Sequence, residues 1–343
     1  MNKARLSIVI PCYNSEKWIG ETLESIQRNE CHQVETIVID DGSTDDSVEI
    51  ISGDYPWVKL IQTENRGCSA ARGLGLELAE GKWIKFLDAD DLLVERFLDN
   101  QLALAEKSTA DVVYCNWQRL VSNDIGQCSF GRTADGTSHR QRKPDDIGQW
   151  SAADKVKRQW QDIHPTDIEI AFFTDMWCPT AAYMWRTAFL NDRHPGWHPK
   201  LPVIQDARFA LDAAIVGGRF LHDDQVGVLY RVHSGGSVST RSRSQFLLNV
   251  WLSAKEISEK WNSELINDER LNSIKGVYRQ VVRGMLEIND DHYMEALQDA
   301  REQCPDFTIS DSRLFRVATK GLGLKNAELL RKSFRMFYPG SYL

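Results

Sequence analysis

The sequence predicts an α/β protein: a mostly parallel central sheet flanked by helices, followed by a helical C-terminal extension. Three features carry that expectation. Through the first third, short β-branched runs alternate with stretches of helical periodicity, the pattern of strands joined by crossover helices. Three of those runs end directly in polar clusters. Beyond about residue 240 the periodicity is helical throughout.

Taken in order, Leu6–Ile10 is the first strand, and Pro11 is expected to stop it. Asn14 or Ser15 is placed to cap a helix whose apolar positions Trp18, Ile19, Leu23 and Ile26 share one face. Thr36–Ile39 is the second strand, Ser43 the expected cap of a helix through Val48 and Ile51, and Val58–Ile61 the third strand. Ser69 to Glu80 reads as a helix despite Gly73 and Gly75. Trp83–Leu87 is a strand, Glu95–Lys107 a helix and Val112–Cys115 a strand. Residues 122–165 are polar and basic with little periodicity, and read as a loop or insertion. Regular structure resumes with Ala181–Trp185, a helix around Ala207–Val216 and the strand Val226–Val232.

Bulk properties narrow the function. A chain of 343 residues fits one large α/β unit plus an appendage. A formal charge of −8 argues against a general nucleic-acid binder, which needs clustered Lys and Arg to neutralise phosphates. Seven cysteines with no CxxC pair read as reduced, mostly buried thiols and argue against a zinc site. The apolar run before Pro11 is too short for the core of a signal peptide. No run approaches the roughly 20 apolar residues that span a bilayer. A cytoplasmic location is expected.

The polar clusters carry the chemistry. Pro11-Cys12-Tyr13-Asn14 follows the first strand, Asp40-Asp41-Gly42-Ser43 the second, and Asp88-Ala89-Asp90-Asp91 the strand Trp83–Leu87. In open α/β sheets ligands gather at the carboxyl ends of the strands, where all three clusters sit. Carboxylates crowded at a strand end repel unless a cation joins them. Mg²⁺ commonly takes one or two carboxylates and completes its shell with substrate phosphate oxygens. Taken singly, each cluster also reads as an ordinary capped turn. Between the clusters runs Glu64-Asn65-Arg66-Gly67-Cys68-Ser69-Ala70-Ala71-Arg72. There Gly67 permits a tight turn, and Arg72, one helical turn in, is placed either for phosphate or a base carbonyl or for a structural ion pair.

With Gln205-Asp206 opening a helix and Tyr230-Arg231-Val232-His233 ending a strand, the set resembles the inverting family 2 glycosyltransferases of the GT-A fold, over roughly residues 5–240. That resemblance implies a Rossmann-like GT-A catalytic domain over 1–240. Residues 1–120 would form its nucleotide-binding half and 121–240 its acceptor half, with 241–343 as a helical extension. It implies transfer of a sugar from a nucleotide-diphosphate donor, UDP-linked by preference, to an acceptor hydroxyl with inversion, assisted by Mn²⁺ or Mg²⁺. The acceptor would be a glycan or lipid-linked glycan of cell-surface polysaccharide assembly. By resemblance, Pro11, Tyr13 and Asp41 hold base and ribose, with Asn65 and Arg72 in the same pocket. Asp88 touches ribose or sugar, Asp90 binds the metal as the last Asp of the Asp-x-Asp motif, and Asp91 caps the next helix. His233 resembles the His that closes over metal and diphosphate, although a buried strand-end His is the other reading. Asp206 resembles the general base that takes the acceptor proton.

The chain departs from the family pattern at two positions. Gln205 stands where an acid usually precedes the base, which leaves its sugar or acceptor contact open. Gly73 stands where Asn commonly follows the helix arginine. Trp177, just before the strand that leads to the base, either stacks on a sugar or packs in the core. The segment 313–337 holds Arg313, Arg316, Lys320, Lys325, Arg331, Lys332 and Arg335 against the single acid Glu328. It reads as a solvated or docked helix face, or as a peripheral membrane contact. Two other functions fit the same kind of sheet. A sugar nucleotidyltransferase would show a Gly-rich N-terminal loop, which Pro11-Cys12-Tyr13-Asn14 is not. A catalytically degenerate binding module would lack the metal Asp or the base.

Overall fold

The computed structural model describes residues 4–122, 128–129, 165–174, 176–232, 242–263, 267–309 and 326. The chain divides into two compact units, Met1–Ser237 and Val238–Leu343. His233, the basic segment 313–337 (apart from residue 326) and most of the expected 122–165 loop lie outside the described residues.

Strands β1 (Leu6–Cys12), β2 (Val34–Asp40), β3 (Lys59–Gln62), β4 (Trp83–Phe86), β5 (Leu92–Leu93), β6 (Val112–Ser122), β7 (Cys128–Ser129), β8 (Tyr183–Arg186) and β9 (Phe220–Val232) form one sheet. Its order is β3-β2-β1-β4-β8-β6-β9-β5, with β7 on the flank of β6. β3, β2, β1 and β4 run parallel, as do β6 and β9, whereas β8 runs antiparallel to both neighbours. β2 and β3 lie to one side of β1, and the chain then returns to place β4 on its other side. The carboxyl ends of β1 and β4 are therefore a topological switch point, where a crevice opens.

Burial follows the sequence pattern. All seven residues of β1 are buried, as expected for a central strand covered on both faces. Helix α3 (Cys68–Leu78) lies close on it because Gly75 has no side chain: a Cβ there would stand 2.2 Å from Val9 Cγ1. Ala71 on the same face packs with Ile37 and Ile39, and Leu74 and Leu78 extend that contact.

Four expectations are corrected, the first being that neither Asn14 nor Ser15 caps the first helix, whose N-cap is Trp18. β1 runs through Pro11 to Cys12, pairing Pro11 with Ile39. The β4 register ends at Val9, so one side of β1 is free where the proline lacks its N–H. Ser43 does not cap α2 (Ser47–Asp54); Asp46 holds that place, and the Ser43 hydroxyl accepts from Asn14 N at 2.9 Å. Asp91 does not cap α4 (Phe97–Lys107) either, because β5 intervenes and left-handed Arg96 precedes the helix. Three short helices or strands gave too few residues for periodicity to register: β5, α6 (Thr187–Arg193) and the 3-10 turn Thr180–Ala182. The described end of the expected loop is likewise helical, as α5 (Pro165–Thr174), with Pro165 at its first position, where no N–H is needed. The base-bearing helix α7 spans Gln205–Ile215.

Within the second unit, α8 (Arg243–Ser263), α9 (Asp268–Glu287) and α10 (Tyr293–Gln303) pack around Trp251, Trp261, Ile274, Tyr278 and Met285. Asn267 caps α9 by accepting from Arg270 N at 2.8 Å. Among the described residues no helix is long and apolar enough to cross a membrane.

Candidate active site

The loops after β1 and β2 clamp each other. Asn14 N donates to Ser43 Oγ (2.9 Å), and Thr44 N donates back to Asn14 Oδ1 (2.8 Å). Ser15 N meets Ser47 Oγ at 2.8 Å and Glu16 N meets Asp45 Oδ2 at 3.0 Å. These four bonds fix the mouth of the crevice, above which Tyr13 stands 51% exposed. Pro11 is buried within β1.

Asp41, directly after β2, is buried and turns its carboxylate to the following loop. Its two oxygens accept from Arg66 N (2.7 Å) and Gly67 N (2.8 Å). Gly67, at φ +89°, makes the turn that presents those two N–H groups together. Asn65 lies exposed on this loop, its backbone against Gly42, where a Cβ would come within 3.0 Å.

Arg72 is the hub. It is 4% exposed, ion-paired with Asp88, and donates to Gln205 Oε1 at 2.9 Å. Its guanidinium lies 4.7 Å over the Trp197 ring, which stacks on Phe209. Burial works against its charge, but the Asp88 carboxylate, together with Cys68 and Asp206, outweighs that and holds its pKa above the ordinary value. Gln205 is tied at both ends of its amide: the oxygen also accepts from Ser69 Oγ (2.7 Å), and Nε2 donates to Pro202 O (2.9 Å). A carboxylate in its place would meet the Pro202 carbonyl with a second acceptor. This chain therefore binds Arg72 from position 205 through a neutral side chain.

The Asp-x-Asp loop is braced from behind. Thr22 Oγ1, on α1 (Ile19–Gln27), lies 2.9 Å from Ala89 O and 3.0 Å from Asp91 O. Arg231 Nε donates to Asp90 O at 2.7 Å, and Arg231 N donates to Asp91 Oδ1 at 2.9 Å. The same guanidinium pairs with Glu21 at 2.7 Å and lies 4.5 Å over the Trp18 ring. Asp91 is fully buried, and its Oδ2 has no hydrogen-bond partner. Burial, then the charges of Asp90 and Asp88, push its pKa well above the carboxylate range. The three carboxylates thus crowd one turn and leave a negative field that a cation would relieve. Among the described residues no three acidic, His or Cys side chains converge as a metal cage.

Asp206 opens α7 on the other wall. Its Oδ2 accepts from Trp177 Nε1 at 2.5 Å, and its Oδ1 from Ala207 N at 2.9 Å. Burial raises its pKa, partly offset by the Trp177 and Ala207 N–H groups and by the nearby Arg72 charge. Trp177 is held edge-on by Trp117 (5.3 Å between centroids) and Tyr230 (5.5 Å). Burial, and then the charges of Asp91, Asp88, Asp90 and Asp206, push the Tyr230 phenol up to about 12.

The structure therefore joins Arg72, Asp88 and Gln205 in one network and Trp177 with Asp206 in another, while Asp41 organises the loop that starts α3. Sequence reasoning did not find Trp117, Trp197, Ser69, Thr22 or Tyr230 as parts of the site. Tyr230 and Ser69 stood inside quoted motifs, but the others carry no local signal.

Comparison with known proteins places these features. Residues 7–131 match the model of glycosyl transferase family 2. The uncharacterized glycosyltransferase YibD of Escherichia coli is 38% identical over 115 residues, 33% of this chain and 33% of that one. A glycosyltransferase of Haemophilus influenzae is 42% identical over 106 residues, 30% of this chain and 42% of that one. The matched segment thus spans 33% to 42% of the length of these relatives. Among solved structures, TarS 1–349 of S. aureus in complex with UDP superposes with a TM-score of 0.65 at 20% identity, covering 98% of this chain and 92% of that one. TarS 1–349 in complex with UDP-GlcNAc gives 0.64 at 19%, covering 97% and 92%. At that identity the likeness shows the fold, which is GT-A.

Proposed function

We propose, given that the chain carries a glycosyl transferase family 2 domain over residues 7–131, that it transfers a sugar from a nucleoside-diphosphate donor to an acceptor hydroxyl with inversion at the anomeric carbon. The observation that carries this reading is the placement of Arg72. One buried guanidinium bridges Asp88, on the strand-end acidic turn, and Gln205, the residue next to Asp206. It thereby holds the donor-anchoring wall and the base-bearing helix in register.

The step balances as a single displacement. The acceptor oxygen bonds to the anomeric carbon as the bond from that carbon to the β-phosphate oxygen breaks. The electron pair leaves on the diphosphate, and the acceptor proton passes to Asp206. A carboxylate whose pKa is raised by burial is a stronger base than an exposed one, which suits it to that proton. Arg72 supplies fixed positive charge beside Asp88. Asp90, joined by His233 beyond the described residues, is the expected holder of Mn²⁺ or Mg²⁺, whose chemistry there is Lewis-acid neutralisation of the leaving diphosphate. Tyr13 and the Asp41-anchored loop are the expected walls of the nucleotide pocket, with Asn65 at its rim. The UDP and UDP-GlcNAc held by TarS structures of the same fold favour a UDP-sugar donor.

The acceptor is a glycan or lipid-linked glycan in cell-surface assembly, and the basic segment 313–337 is the candidate contact with an anionic membrane surface. A screen of nucleotide sugars for Mn²⁺-dependent hydrolysis tests the reading. Release of UDP from one or a few donors supports it, and no turnover of any donor with or without metal counts against it.

A further inference from the structure

We propose that Trp177 is the positioning residue of Asp206. Its indole N–H, clamped by the edges of Trp117 and Tyr230, fixes the direction of the carboxylate on which the acceptor hydroxyl must place its proton. The inference rests on the reading of Asp206 as the base.

Asp206 sits in the first turn of α7, where an aspartate is free to rotate about its side-chain bonds unless something holds it. Two donors do. Ala207 N, from the next residue, takes Oδ1 at 2.9 Å, and Trp177 Nε1 takes Oδ2 at 2.5 Å across 29 positions of sequence. Each oxygen keeps a lone pair for a further partner.

Two rings clamp Trp177. Trp117 on β6 and Tyr230 on β9 meet it at 83° and 79°, and they meet each other at 78° with centroids 5.7 Å apart. Three mutually near-perpendicular rings restrain the half-buried indole on two sides, and each edge-to-face contact is of a favourable kind. Its chain neighbours Met176 and Cys178 are buried, and the 3-10 turn Thr180–Ala182 then ties this stretch to β8. The donor is therefore built into the sheet, whereas the acceptor side chain belongs to a helix start. The sheet dictates where the base points. Of these three aromatic side chains, Trp177 is the one whose N–H donates to the Asp206 carboxylate. Trp177 is thus singled out by geometry.

A carboxylate misdirected by about an ångström loses on the order of a hundredfold in rate, while binding of the donor, which does not touch it, is unaffected. Trp177→Phe keeps the ring and removes the N–H; Trp177→Ala removes both. The direct readout is the indole N–H resonance of Trp177, assigned by its absence in Trp177→Phe in protein labelled with ¹⁵N-tryptophan. It should lie downfield, move as Asp206 titrates, and shift upfield and lose its pH dependence in Asp206→Asn. In donor hydrolysis with the best nucleotide sugar of the screen, Trp177→Phe should lower kcat about ten- to a hundredfold. Its KM for donor should stay within about twofold, and its acid limb should lie at higher pH because a donor that favoured the charged carboxylate is gone. A Trp177 resonance indifferent to pH and to Asp206→Asn would overturn the proposal, as would a Trp177→Phe enzyme with wild-type kcat and acid limb. Wild-type turnover in Asp206→Asn would instead overturn the base assignment, so the two failures are distinguishable.

Discussion

Replacing Arg72 with methionine removes the hub of the site while keeping most of its volume. Three contacts are lost. The charge-assisted bond to Asp88 is worth about 1.5–3 kcal/mol and the bond to the Gln205 oxygen about 1. The stacking over Trp197 adds about 1 kcal/mol in a partly desolvated setting. Against the gross sum of roughly 4 kcal/mol stands the cost of burying a guanidinium, which Met does not incur. Asp88 is 31% exposed and can rehydrate once unpaired, so the lower part of the range applies: a net loss of about 2–3 kcal/mol. For a unit the size of Met1–Ser237, about 2–4 °C is lost per kcal/mol, which gives a fall in Tm of roughly 4–12 °C. Arg28→Met is the matched control, because that arginine pairs with Glu24 at 2.6 Å but both side chains are exposed; its cost should be within about 0.5 kcal/mol. Calorimetric melts of the two variants and of wild type, followed by titration with UDP, make the comparison. Arg72→Met should melt clearly lower and bind UDP at least tenfold more weakly. Melting within 2 °C of wild type (about 1 kcal/mol), with unchanged UDP affinity, would refute the reasoning that burial makes this pair the keystone.

Other outcomes follow from the same geometry. UDP affinity should rise with Mn²⁺ in wild type and lose that dependence in Asp90→Ala; equal affinity in all cases, by calorimetry, would remove Asp90 from the metal site. The Asp206 pKa lies above its unfolded value, so ionising it costs the fold stability once pH exceeds about 4. Asp206→Asn should therefore match wild type in Tm at low pH and exceed it at pH 7, and a lower Tm at pH 7 would contradict the sign. Gly75→Ala should cost about 1–3 kcal/mol, because the new methyl meets Val9 Cγ1 at 2.2 Å. A melt unchanged from wild type would show that α3 is not seated on β1 as described.

Much of the fold was legible because strands and crossover helices write different periods into the chain. β1, β2, α3 and α4 fall within two residues of their expected bounds. Errors collect where a side chain answers to tertiary context. Pro11 reads as a stop until one sees that β1 has lost a neighbour there. Ser43 and Asp91 read as caps because both types favour helix starts, but Ser43 spans to the β1 loop and Asp91 receives Arg231 N from β9, 140 residues away. The strand-end positions of Asp41, Asp88 and Asp90 were legible, at the end of the sheet where ligands gather in such folds. The site's aromatic wall was not, because Trp117, Trp177 and Tyr230 come from three distant segments and meet through the pairing of β6 with both β9 and β8. Trp177 stood open between sugar stacking and core packing; its bond to Asp206 is a third outcome that no local pattern announces.

The measurement that bears most directly on the central claim is the anomeric configuration of the sugar product, followed by proton NMR before mutarotation, in wild type and Asp206→Asn. From an α-linked nucleotide sugar the account predicts a β product from wild type. It also predicts turnover lower by about 10² to 10⁴ in Asp206→Asn, at unchanged donor affinity. An α product, or near-normal turnover without the Asp206 carboxylate, would contradict it.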